Sequence, residues 1–117
     1  METLYVALVL FAVAAVVGLY MATRVFGGQL APWLAGVLHA AAGAAGLIVL
    51  AIGYLNGGLP QMAAIALGVL VIAALGGFFL GSFHLRKQVA PKAVVVIHAL
   101  VAVTGFGILA ATALGVL

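Results

Sequence analysis

Cysteine is absent from this chain, which excludes disulfides, iron–sulfur clusters and thiol nucleophiles. Acid is almost absent as well, since Glu2 is the only carboxylate side chain. Paired-carboxylate acid–base catalysis and carboxylate-based metal sites go with it. Charge of either sign is scarce: Asp, Glu, Lys and Arg make up 4% of the residues, against about 25% in soluble domains. No Gly-rich phosphate loop, nucleophile–base pair or carboxylate pair occurs, which argues against a hydrolase.

What fills the chain is apolar. Of its 117 residues, 69% are hydrophobic. A hydrocarbon core of ~30 Å is crossed by about 20 apolar residues in a helix. The length therefore holds four spans in one membrane domain, 1–117, with no room for a soluble one. The spans are expected at about 4–22, 32–54, 59–83 and 91–117. The first reads as a span rather than a signal peptide, because Met1-Glu2-Thr3 is acidic and the apolar run behind it is long. Pro32, Pro60 and Pro91 each stand at a helix start, where a missing N–H costs nothing. Asn56-Gly57-Gly58 is a helix stop. Every face is apolar, so the 16 glycines and many alanines mark helix contacts, where small residues allow close approach in lipid.

The four basic residues, Arg24, Arg86, Lys87 and Lys92, fall in the first and third turns. The positive-inside rule accounts for all of them without nucleic acid, and it puts both turns in the cytoplasm and both termini outside it. A bacterial inner membrane is the expected location. Trp33, beside Pro32, is an interfacial aromatic.

A shift of 59 residues aligns the first half, about 1–58, on the second, about 59–117. Gln29-Leu30-Ala31-Pro32 falls on Gln88-Val89-Ala90-Pro91, His39-Ala40 on His98-Ala99, Gly18 on Gly77 and Gly46 on Gly105. Gln, Pro and His are rare here, so these matches outweigh the many Ala and Leu ones. The fold class expected is all-α: an up-down-up-down bundle of four transmembrane helices built from a tandem two-helix repeat. The repeats would be related by a two-fold axis along the membrane normal, with spans two and four on a diagonal.

His39 and His98 each lie seven residues past a proline, or about 10 Å into the helix at ~1.5 Å per residue. They share one depth and can both face the bundle axis. His39, Gly43, Gly46 and Leu50 form one helical stripe, and His98, Ala102, Gly105 and Leu109 its counterpart. Gly43, Gly46, Ala102 and Gly105 are small enough to give a flat macrocycle room. Neighbouring helix axes lie about 8–10 Å apart, so the diagonal is about 12–14 Å, a gap that two imidazoles and a metal fill. Imidazole is the usual ligand of b-type haem iron. His39 and His98 are therefore the candidate axial ligands of one haem b, with Arg24, Arg86, Lys87 and Lys92 placed to pair with its propionates. Zinc is disfavoured, since it wants four ligands.

In these features the chain resembles the membrane b-type cytochromes of the cytochrome b561 kind, in which histidines on transmembrane helices clamp haem across a four-helix bundle. Proteins of that kind often hold two haems, whereas three histidines cannot supply two bis-histidine sites. The resemblance implies electron transfer, with quinol or another redox partner, and hence a membrane oxidoreductase if the protein is an enzyme. The alternative is a cofactor-free accessory or structural subunit of a membrane complex, with the histidines hydrogen-bonding between helices. Proton-coupled export by a small multidrug-type transporter would need a membrane-embedded carboxylate, and none is present. His84 matches Val25 and so lacks a partner in the repeat. It reads as an interfacial histidine, with a proton relay, a quinone-site group or a replacement ligand as the sharper roles.

The charge distribution makes one firm prediction. A reporter that works only outside the cytoplasm should be active when fused after Leu117, and a cytoplasmic signal there would invert the topology.

Overall fold

A computed structural model of the chain describes residues 2–117. It contains four α-helices: α1 (Glu2–Phe26), α2 (Trp33–Leu55), α3 (Gln61–Leu85) and α4 (Lys92–Ala113). No strand occurs among the described residues. The body measures 42 × 21 × 19 Å, long enough for ~30 Å of hydrocarbon. Each helix is long and apolar enough to cross a membrane. The protein is an all-helical bundle with the character of an integral membrane protein.

α1 packs mainly on α2 and α3 mainly on α4, and the two hairpins meet through α1–α4 and α2–α3. α1 and α3 lie on one diagonal, α2 and α4 on the other. The interior is built from small residues. Ala7, Ala14, Ala63, Ala66 and Ala73 are buried, while Val16, Leu19, Phe78, Leu100 and Val103 are exposed. This inverts the soluble pattern, because large apolar groups lose nothing in lipid and small ones let backbones approach. Leu4, Leu50 and Leu109 are the large side chains fully enclosed. The buried positions of α1 (Leu4, Ala7, Phe11, Ala14) and of α3 (Ala63, Ala66, Leu70, Ala73) correspond one to one at a spacing of 59 residues.

The helix ends refine the sequence reading. Pro32, Pro60 and Pro91 each sit one residue before their helix, as extended N-caps. Their carbonyls accept the first bonds, from Gly36, Ala63 and Val95. The fourth helix stops at Ala113, short of the expected 117. There Gly115 takes φ +76°, and the amides of Gly115 and Val116 return to the carbonyls of Thr112 and Ala111. Those paired bonds satisfy carbonyls that would otherwise face lipid.

The same closure ends α1 and α3, where Gln29 N–H bonds Arg24 O and Gln88 N–H bonds Phe83 O, both at 2.9 Å. The left-handed residue is Gly28 in the first turn (φ 75°) but Lys87 in the third (φ 56°). A side chain in that conformation costs about 1 kcal/mol. Lys87→Gly should therefore stabilise the bundle by about 1 kcal/mol, measured as a raised midpoint of detergent-denaturant unfolding. An unchanged or lowered midpoint would show that the lysine side chain compensates the strain.

Candidate functional site: two anchored imidazoles

α2 and α4 are not neighbours, yet the rings of His39 and His98 lie 6.2 Å apart between centroids, with their planes at 77°. Both side chains therefore project to the bundle axis from opposite corners. Each is half-buried.

Each ring is fixed by the other helix of its own hairpin. His39 Nδ1 lies 2.7 Å from the Ala14 carbonyl oxygen on α1, and His98 Nδ1 lies 2.8 Å from that of Ala73 on α3. A carbonyl only accepts, so Nδ1 carries the proton in both rings. In the neutral imidazole Nε2 then keeps its lone pair. No buried side-chain nitrogen is left without a partner among the described residues, so neither Nε2 is sealed in apolar packing.

The opening to each carbonyl is made by a glycine. Gly18 lies four residues after Ala14, and Gly77 four after Ala73. Residues at i and i+4 stack on one helix face, and Cβ leans toward the helix N-terminus. A side chain at either glycine would crowd the ring that reaches past it. A Cβ on Gly18 would stand 2.8 Å from His39 Cε1 and 3.1 Å from Nδ1, and one on Gly77 would stand 3.2 Å from His98 Cε1. Sequence reasoning placed the important small residues on the histidines' own helices and missed these two. The signal was the Gly18–Gly77 match itself, a repeated glycine on the partner helix.

The clearance expected beside the histidines is only partly present. A Cβ on Gly46 would meet Phe11 Cε1 at 2.8 Å, and one on Gly105 would meet Leu70 Cγ at 2.7 Å. These two glycines seat side chains of α1 and α3, so the space against them is filled. Gly43 differs, since a Cβ there would meet no atom within 4 Å. Ala102, its match on α4, is half-buried.

The basic residues have other work. Arg24 donates from Nε and Nη2 to Leu30 O at 3.3 and 3.2 Å, which braces the first turn. Arg86 donates to Ser82 O at 3.1 Å and lies over the Phe83 ring at 4.7 Å. Lys92 opens α4 and is exposed. His84 is more than an interfacial side chain. Its Nε2–H donates to Ala31 O at 2.8 Å, its ring stacks on Trp33 with planes 2° apart, and its Cε1 would lie 3.2 Å from a Cβ on Gly36. It ties the end of α3 to the start of α2. Among the described residues, no group of three or more His, Cys, Asp or Glu side chains could hold a metal ion by itself. Comparison with protein-family models, with curated proteins and with solved structures yields no match.

Two substitutions grade the importance of the glycine openings. Gly18→Ala should destabilise the bundle by about 1–3 kcal/mol, since the anchored ring must move. Gly77→Ala, with 0.4 Å more room (3.2 against 2.8 Å), should cost clearly less. Unfolding midpoints of both variants test this, and the reverse order would show that the imidazoles are not the atoms that give way.

Proposed function

We propose that the protein is a membrane electron-transfer protein that holds one b-type haem between His39 and His98. The observation that carries this reading is the pair of imidazoles brought together from α2 and α4, 6.2 Å apart between centroids and each anchored through Nδ1. Two metal-to-imidazole bonds of about 2 Å, together with the ring radii, span about 6 Å between ring centres. A ligating histidine characteristically donates its other ring N–H to a carbonyl or carboxylate, which fixes its orientation and raises its basicity. Ala14 and Ala73 supply such carbonyls here. The two nitrogen donors and their carbonyl anchors support haem b as the group held.

The residues divide the work as follows. His39 and His98 would hold the iron through Nε2. Gly18 and Gly77 let the rings reach their anchors, and Gly43 gives open space one turn along α2. Lys92, unengaged and exposed, suits a propionate better than Arg24 or Arg86, which brace their own turns. A bis-imidazole haem supplies a one-electron couple with no open position for oxygen, which suits electron transfer. Lipid-facing leucines and valines keep water from the rings, and the neutral tautomer keeps charge out of the hydrocarbon. Quinol or a redox protein would be the partner. The setting would be a bacterial inner membrane with the basic end in the cytoplasm. The residue-by-residue recurrence at a spacing of 59 supports an origin in a repeated two-helix unit.

Two observations favour the cofactor-free reading, a small structural subunit. The two Nδ1 bonds already join each hairpin, and Phe11 and Leu70 fill the space at Gly46 and Gly105. One experiment separates the two. Purified from haem-replete cells, the protein should be coloured, with split visible bands on reduction and little response to carbon monoxide. His39→Ala and His98→Ala should each lower haem occupancy roughly tenfold or more, since even loss of an outer-shell partner costs 10–100-fold in metal affinity. His84→Ala should retain haem. A colourless wild-type protein would leave the structural reading, and haem surviving both ligand substitutions would refute the site.

A further inference from the structure

The two hairpins present unlike corners at the basic end. Trp33 begins α2, but its match at the start of α4 is Lys92. His84 closes α3, but its match on α1 is Val25. Only one corner therefore carries the stacked Trp33–His84 pair, with ring centroids 5.9 Å apart. Beside that pair lies a shallow pocket of about 260 Å³, lined by Leu30, Ala31, Trp33, His84, Leu85 and Lys87.

Its chemistry is divided. Leu30 and Leu85 give an apolar wall, and Leu85 is 71% exposed toward what would be lipid. His84 donates its Nε2–H to Ala31 O and so shapes the wall rather than offering that proton to a ligand. Arg24 and Arg86 are engaged by Leu30 O and by Ser82. Lys87 lines the pocket with its ammonium bonded to nothing among the described residues, and its backbone is held left-handed at φ 56°. The only acidic side chain, Glu2, stands at the opposite end of α1. The corner thus combines an uncompensated cation, an indole at headgroup level and an apolar wall running into the bilayer. Charge complementarity calls for an anion, and the apolar wall calls for an acyl chain behind it.

We propose that this corner binds an anionic phospholipid, with its phosphate at Lys87, its headgroup against Trp33 and one acyl chain along Leu30 and Leu85. The inference is independent of haem.

The test is native mass spectrometry of the full chain in detergent, titrated with dioleoylphosphatidylglycerol or dioleoylphosphatidylcholine. The wild type should bind one phosphatidylglycerol in preference to phosphatidylcholine. Lys87→Asn removes the charge yet tolerates the left-handed backbone, and it should weaken binding about fivefold. Trp33→Leu, on a separate element, should weaken it as well. Lys92→Gln removes the same charge from the start of α4, outside the pocket lining, and should change affinity by less than about twofold. Equal weakening by Lys87→Asn and Lys92→Gln, or no preference for phosphatidylglycerol, would overturn the proposal in favour of diffuse surface charge. Displacement of the lipid by equimolar inorganic phosphate would overturn it in favour of a soluble anion.

Discussion

Apolar helices in lipid gain nothing by hiding apolar surface from each other, so they need another reason to associate. Here that reason is close backbone approach, completed by a hydrogen bond from an imidazole to a helix carbonyl. Gly18 and Gly77 give the rings room to reach the carbonyls of Ala14 and Ala73. A helix carbonyl has a second lone pair beyond the one taken by its i+4 amide, so the anchor does not break the helix that offers it. The small-residue interior, the tight hairpins and the meeting of the two rings at the axis all depend on this approach.

The same bond orients the proposed chemistry. By holding the proton on Nδ1, each carbonyl leaves the Nε2 lone pair as the available donor. Because the two hairpins repeat the contact, the rings arrive at one depth from opposite corners. A structural tie and a ligand anchor are therefore one arrangement. What distinguishes a cofactor site is the room around it, and Phe11 and Leu70 occupy part of that room. Haem would have to share the interior with these two side chains or displace them along α1 and α3.

The ends of the bundle are built differently. At the basic end two arginines brace their own turns, a histidine–tryptophan stack joins α3 to α2, and a lysine takes a conformation that glycine takes in the matching turn. At the other end Tyr5 donates to Ala113 O at 3.2 Å and ties α1 to α4. Neither the stack nor the tyrosine contact has a counterpart in the other hairpin, so these side chains are where the two halves diverge.

Composition and length determined that the chain holds four helices apolar enough to cross a membrane, because so few charges and so much apolar surface do not suit a fold in water. Proline and glycine located the helix ends to within a few residues, since they act through local backbone geometry. The depth of His39 and His98 was likewise legible, because 1.5 Å of rise per residue is a property of any helix. Three features needed the tertiary structure. Gly18 and Gly77 became the openings for the imidazoles because helix rotation, which weak amphipathicity leaves undefined, set which faces met. Gly46 and Gly105 became seats for Phe11 and Leu70 rather than open clearance for the same reason. His84 became a tie to α2 because a contact across 53 residues depends on how the hairpins dock. Local pattern gives a helix its length and depth, but only packing against a partner decides which way each side chain faces.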